Sequence, residues 1–137
     1  MKYSKATNYA LHSMVHLAVE SNNDAVRVED LANRQHLSPT YLSKILTKLS
    51  KAGLITSTPG VKGGYRLLHA PENCTFLDII QAIEGQESLL TCTMSHQGSH
   101  HEECLIERAV AQAEDKMYEA LAQKTIADIL TQMHARH

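Results

Sequence analysis

Two groups of residues in this chain have types and spacings suited to chemistry. The first is Cys92 and Cys104, which bracket His96, His100 and His101. Thiols close to imidazoles and near a helix start are biased toward thiolate, so the pair can close a reversible disulfide. With two of the three histidines they can hold Zn²⁺, although the spacing is irregular for such a site. An inert pair is the remaining reading. Cys74 stands apart, before a capped helix, and reads as a small buried hydrophobe. The second group is basic: Lys44, Lys48 and Lys51 at helical spacing, then Lys62 and Arg66. Residues 1–70 carry nine Lys and Arg against four Asp and Glu, whereas residues 71–137 carry four against eleven. A basic half joined to an acidic half predicts an anionic partner for the first.

The elements that position these groups follow from periodicity and punctuation. Tyr3, Ala6, Ala10, Met14 and Leu17 predict one face of a helix over residues 4–20, with Asn8, His12 and His16 on another. A short helix fits 28–35, with Glu29 and Asp30 in its first turn. Ser38 as N-cap and Pro39 at the first position open a third helix that Gly53 ends. Its apolar stripe is Leu42, Ile45, Leu46 and Leu49. Residues 54–57 and 65–68 read as two strands around a segment rich in turn formers, Thr58 to Gly64. Thr75 and Asp78 predict a capping box for a fourth helix that stops at Gly85. A polar, irregular segment follows. A long helix then runs from about Glu103 to Leu121, and Thr125 with Asp128 predicts a capped final helix.

Short helix, tight turn, basic helix and basic hairpin make a winged helix-turn-helix. The third helix has the two faces that major-groove docking needs, one apolar and one polar or basic. Ser38, Thr40, Tyr41 and Lys44 are the predicted base readers. Lys48, Lys62 and Arg66 are predicted to hold phosphates. No nucleophile elbow, phosphate loop or paired-carboxylate site is present, so no catalytic residue is predicted and an enzyme is not expected. The glycines at 60, 63 and 64 lie between strands, with no helix directly after them. The rival to DNA binding is a winged-helix protein-interaction module, which a basic recognition helix disfavours.

Several stretches together resemble one family. They are Tyr9-Ala10-Leu11, Leu37-Ser38-Pro39-Thr40-Tyr41-Leu42 through Ala52-Gly53-Leu54-Ile55, Gly63-Gly64-Tyr65-Arg66-Leu67, and Leu77-Asp78-Ile79-Ile80-Gln81-Ala82-Ile83-Glu84-Gly85. The chain is similar to the IscR/NsrR/CymR family of bacterial winged-helix transcription regulators. The likeness continues through the long helix to Thr125-Ile126-Ala127-Asp128-Ile129-Leu130. It implies a homodimer joined mainly by the long C-terminal helix. It implies a repressor on a palindromic operator in double-stranded DNA, with activity set by redox, metal or iron–sulfur state. The wing departs from the family pattern: Pro59-Gly60 stands where Arg-Gly is usual, with Lys62 close by to compensate. Many members hold a cluster on three cysteines in the loop before the long helix. Here Cys92 and Cys104 take the outer positions, Gly98 the middle one, and Glu107 the place of a following His ligand. The resemblance thus leaves open a [2Fe–2S] cluster on the two cysteines completed by other ligands, and some relatives add ligands from the partner's first helix. The matching positions are Asn8, a poor substitute for a carboxylate, and His12, a competent ligand.

Dimerisation has support from spacing alone. Leu105, Ala109, Ala113, Met117 and Leu121 recur every four residues on a helix about 28 Å long, more than so small a domain covers by itself. The expected organisation is a DNA-binding domain over 1–85, a Cys/His sensor loop over 86–104, and a dimerisation helix with a short final helix over 105–137. The fold expected is mainly α with a small β-hairpin wing. Hydrophobic residues make up 43% of the chain, enough for a core. No apolar run reaches the roughly 18 residues of a membrane span, and no signal-peptide core opens the chain. A cytoplasmic location without membrane partners is expected.

Overall fold

A computed structural model describes residues 2–20, 24–91 and 104–136. The order is α1 (Lys5–Val19), α2 (Val28–Gln35), α3 (Pro39–Lys51), β1 (Ile55–Thr58), β2 (Gly64–Leu67), α4 (Phe76–Glu84), α5 (Leu105–Ala122) and α6 (Ile126–Ala135), with a 3-10 turn at Pro71–Asn73. The fold is thus mainly helical with one antiparallel hairpin, as the sequence leads one to expect.

Local signals account for the helix ends. Ser38 Oγ accepts the Tyr41 N–H at 3.2 Å and Pro39 fills the first position, so α3 starts where its cap places it. Gly53, at φ +77°, follows the end of α3 in a conformation other residues rarely adopt. At α6 the capping box is complete: Thr125 Oγ1 accepts from Asp128 N–H, and Asp128 accepts from Thr125 N–H. At α4 only half of the expected box forms, with Thr75 Oγ1 accepting from Asp78 N–H. The start of α4 is fastened elsewhere. Phe76 N–H donates to Lys124 O and Ile126 N–H donates to Cys74 O, each at 2.9 Å, so the starts of α4 and α6 are stitched together.

The strands lie one residue from their expected places. Ile55 pairs with Leu67 and Thr58 with Gly64. Leu54 does not enter β1; it is buried, and its N–H donates to Leu49 O, closing the end of α3. Gly64 is drawn into β2 because Tyr65 pairs with Val26 through hydrogen bonds of 2.7 and 2.8 Å, which give the hairpin a third edge. A Cβ at Gly64 would overlap the Val26 carbonyl, and one at Gly63 would overlap the Thr58 oxygen.

The core gathers Ala10, Met14 and Leu17 of α1, Leu31 of α2, Leu42, Ile45, Leu46 and Leu49 of α3, Ile55, Ile79 of α4 and Ile126 of α6. Cys74 is fully buried within it, so its reading as a small hydrophobe holds. Burial and the nearby Asp78 and Glu72 push its thiol pKa up, which keeps it protonated and unreactive.

Candidate nucleic-acid interface

α3 sorts its residues by face. Leu42, Ile45, Leu46 and Leu49 are buried, whereas Thr40, Tyr41, Lys44, Thr47, Lys48 and Lys51 are exposed. The exposed set recurs at one, three and four residues, the period of a single helical face. Burying four large aliphatic residues, at roughly 1.5–3 kcal/mol each, fixes which face turns outward. Ser38, also exposed, spends its side chain on the cap and thereby sets the first turn of α3.

Tyr41 is held in place. Its ring meets Tyr9 of α1 edge-on, with centroids 6.0 Å apart and an interplanar angle of 87°, a favoured aromatic geometry. Sequence reading selected Tyr41 but did not see that Tyr9 braces it. In the wing, Arg66 is exposed between half-buried Tyr65 and Leu67, as strand alternation requires. Lys62 sits in the exposed turn beside Val61, which is 88% exposed.

A carboxylate missed in the sequence stands behind this surface. Glu84 Oε2 accepts from Ser4 N–H at 2.7 Å, from Ser4 Oγ at 2.9 Å and from Thr7 Oγ1. It therefore caps the start of α1 from the end of α4. The Thr7 hydrogen bond, those from Ser4 and the Lys48 charge hold its pKa below the ordinary value, outweighing partial desolvation. An acid in the last turn of a helix opposes the dipole, and that local conflict was the signal available.

The residues predicted to sense a signal divide. Cys92, with His96, His100 and His101, lies outside the described residues, as does Gly98. Cys104 is the N-cap of α5, and its Sγ accepts the Glu107 N–H at 3.5 Å. His12 is exposed on α1, and its Nδ1 lies 2.8 Å from Asn8 O. Since that carbonyl only accepts, Nδ1 carries the proton and Nε2 is left for other partners. Among the described residues no group of three His, Cys, Asp or Glu side chains is placed to hold a metal. With Gly98 in the middle position and Glu107 in place of a histidine, the residues present do not complete the cluster set that the resemblance implies.

The long helix presents two faces. Half-buried Val110, Ala111, Met117, Tyr118 and Leu121 flank the buried Glu114 on the inner side. Leu105 and Ile106 are 77% and 70% exposed, and Ala109 and Ala113 are exposed with them. Of the predicted interface stripe, Leu105, Ala109 and Ala113 thus face outward, while Met117 and Leu121 border the chain's own domain. Met117 also takes the Tyr3 hydroxyl at 3.8 Å. Glu114, 6% exposed, accepts from Ser88 Oγ at 3.0 Å and from Leu89 N–H at 2.7 Å. It ties the segment that leads toward Cys92 to the middle of α5. A lone acid within the Val110–Met117–Leu121 stripe was its signal in the sequence.

Known proteins of the same build are close at hand. Residues 3–132 match the family description "Rrf2: Iron-dependent Transcriptional regulator". The protein rrf2 of Nitratidesulfovibrio vulgaris is 31% identical over 131 residues, covering 95% of this chain and 87% of that protein. The HTH-type transcriptional regulator NsrR of Bacillus licheniformis is 29% identical over 99% of this chain and 97% of its own. The structure of CymR, the global cysteine regulator of B. subtilis, superposes with a TM-score of 0.78 at 28% identity, covering 96% of this chain and 98% of that one.

Proposed function

The chain belongs to the Rrf2 family of transcriptional regulators, and from that premise we propose that it is a repressor. It binds a palindromic operator as a homodimer, under control of the thiol state of Cys92 and Cys104. At the coarser level it is a DNA-binding transcription regulator and not an enzyme. No described helix is long and apolar enough to cross a membrane.

The observation that carries the reading is the sorting of α3. Its apolar face is used up in the core, and its exposed face holds Thr40, Tyr41, Lys44 and Lys48 behind the Ser38 cap. Thr40, Tyr41 and Lys44 lie in the first turns, where recognition helices meet base edges. Lys48, with Lys62 and Arg66 of the wing, supplies phosphate contacts that steer the complex without reading sequence. In this reading residues 1–85 bind DNA, 86–104 sense, and 105–137 pair the two chains. The outward Leu105, Ala109 and Ala113 support a partner helix, because exposed apolar residues in a row gain by being covered.

Control by thiol state is favoured over a metal centre. Cys104 at a helix N-terminus, with a backbone N–H on its sulfur, sits where thiolate is stabilised. A cluster on three cysteines would need one where Gly98 stands, and the histidine spacing is irregular for Zn²⁺. The deciding experiment is a gel-shift titration of the dimer on a selected palindrome and on random DNA at two salt concentrations. Preference for the palindrome supports the reading, and equal affinity for both overturns it.

A further inference from the structure

Tyr9 lies on α1, outside the helix-turn-helix, and the DNA-binding reading gives it no task. It is half-buried and packs against the core. Facing it, Tyr41 in the first turn of α3 is a large aromatic side chain left 40% exposed. Two restraints fall on Tyr41. The Ser38 cap holds its backbone N–H, and Tyr9 meets its ring edge-on at 6.0 Å. Among the described residues neither phenolic hydroxyl has a hydrogen-bond partner, so packing sets the direction of the Tyr41 ring.

Tyr9 is itself on fixed ground. Two residues before it, Thr7 Oγ1 donates to Glu84 of α4. One turn after it, Ser13 Oγ accepts from Gln35 Nε2 of α2 at 2.8 Å. Its neighbour Ala10 is fully buried. α1 is thus tied to two other helices on either side of Tyr9, and the ring of Tyr9 is a stationary wall for that of Tyr41.

We propose that Tyr9 is a positioning residue for sequence recognition: it holds the Tyr41 ring in the direction that meets a base edge, and so sets the preference for the operator over other DNA. The inference rests on the reading of Tyr41 as a base reader. A tyrosine on a helix has more than one open χ1 well, and an exposed ring that must be ordered on binding costs affinity. Here that cost is met during folding, by an edge-to-face contact. Phosphate contacts carry no sequence information, so a freed ring penalises the specific complex and spares the random one. That selectivity separates a positioning role from a general loss of structure.

The test is a double-mutant cycle on the full chain, read by fluorescence anisotropy on a selected palindrome and on random DNA. Tyr9→Leu should weaken the palindrome about fivefold, the worth of one edge-on aromatic pair, and leave random DNA and the salt slope unchanged. Tyr9→Phe keeps the ring and should keep the preference. In a Tyr41→Leu background, Tyr9→Leu should cost nothing further, because the ring it positions is gone. Tyr9→Met replaces Tyr9→Leu should that variant lose its circular dichroism. Without DNA, aromatic proton spectra should show the Tyr41 ring shifted by its neighbour in wild type and in Tyr9→Phe, and released in Tyr9→Leu. Equal losses on both DNAs, additive losses in the cycle, or an unchanged preference in Tyr9→Leu each overturn the proposal. A loss in Tyr9→Phe as large as in Tyr9→Leu does so too, since the hydroxyl would then touch DNA directly. A wild type with no preference for any palindrome sinks the DNA-binding reading, and the specificity role of Tyr9 with it, even where the ring signals still report the contact.

Discussion

Glu84 and Lys48 join a folding contact at the start of α1 to the exposed face of α3 that is proposed to meet DNA. Glu84 is exposed, yet three donors from Ser4 and Thr7 converge on a single oxygen. Its pKa is lowered from the ordinary 4.5. A carboxylate with a lowered folded-state pKa adds stability that is fully present above the unfolded value and is lost as pH falls through the folded one. Glu84→Gln is therefore expected to lower the melting temperature at neutral pH, with the gap to wild type closing in acid well below pH 4.5. A gap that stays constant across that range would mean that the charge contributes nothing. Lys48, exposed on α3, adds the last of the influences that lower the Glu84 pKa. Lys48→Ala should weaken binding to specific and random DNA alike and reduce the salt slope by about one. A loss confined to the palindrome would reassign Lys48 to base reading.

Among the elements, legibility follows how local the determinant is. α2 and α3 begin and end where Val28–Gln35 and the Ser38–Pro39 cap place them, because those signals act within a turn. β1 and β2 differ from expectation by a residue because register is set across the sheet, by the pairing of Tyr65 with Val26. The cap of α4 is half formed, and the start of that helix is instead held from afar, by the Phe76 N–H on Lys124 O, 48 positions along the chain. Glu114 was hidden for the same reason: its bonds to Ser88 and Leu89 depend on segments that only tertiary packing brings together. The glycines of the wing were legible as turn formers, but their second role was not. Gly64 lies at φ +149° with Val26 against it, where any side chain meets backbone. Gly64→Ala is expected to separate β2 from Val26, at about 1–3 kcal/mol of stability, and to weaken DNA binding by misplacing Lys62 and Arg66. Urea denaturation and a gel shift measure the two effects. Full stability with full affinity would show that the third edge of the hairpin carries no weight.

For the whole molecule, the proposal is that two chains meet through α5 and that a signal changes the spacing of their recognition helices. The outward side of α5 offers Leu105, Ile106, Ala109 and Ala113, and the small alanines allow close approach of a second helix. Ala113→Glu would set a charge in that seam, which is costly unless it is paired. Sedimentation should show a dimer for wild type and a much weakened one for the variant, whereas a monomeric wild type at micromolar concentration contradicts the assembly. The inner side of α5 holds Glu114, whose bonds to Ser88 and Leu89 fasten the chain shortly before Cys92, while Cys104 begins the same helix. A covalent change at either cysteine therefore acts on a segment anchored to the dimer helix at one end and continuous with it at the other. Two recognition helices must meet major grooves about 34 Å apart, so a shift of a few ångströms misaligns a half-site. A signal moves this equilibrium only by its different free energy in the two arrangements. Serine is the right replacement at Cys104 because it retains an N-cap oxygen, and alanine would confuse loss of the thiol with loss of about 1 kcal/mol of capping. Cys92→Ser with Cys104→Ser should leave circular dichroism and dimerisation intact and abolish the response of DNA affinity to diamide. Cys74→Ser should keep that response at some cost in stability, since Cys74 is sealed in the core. The measurement is a DNA titration with and without oxidant on all three proteins. A double variant that answers diamide as wild type does would remove these cysteines from the signal path and move the search for the input to a pocket between the domain and the long helix.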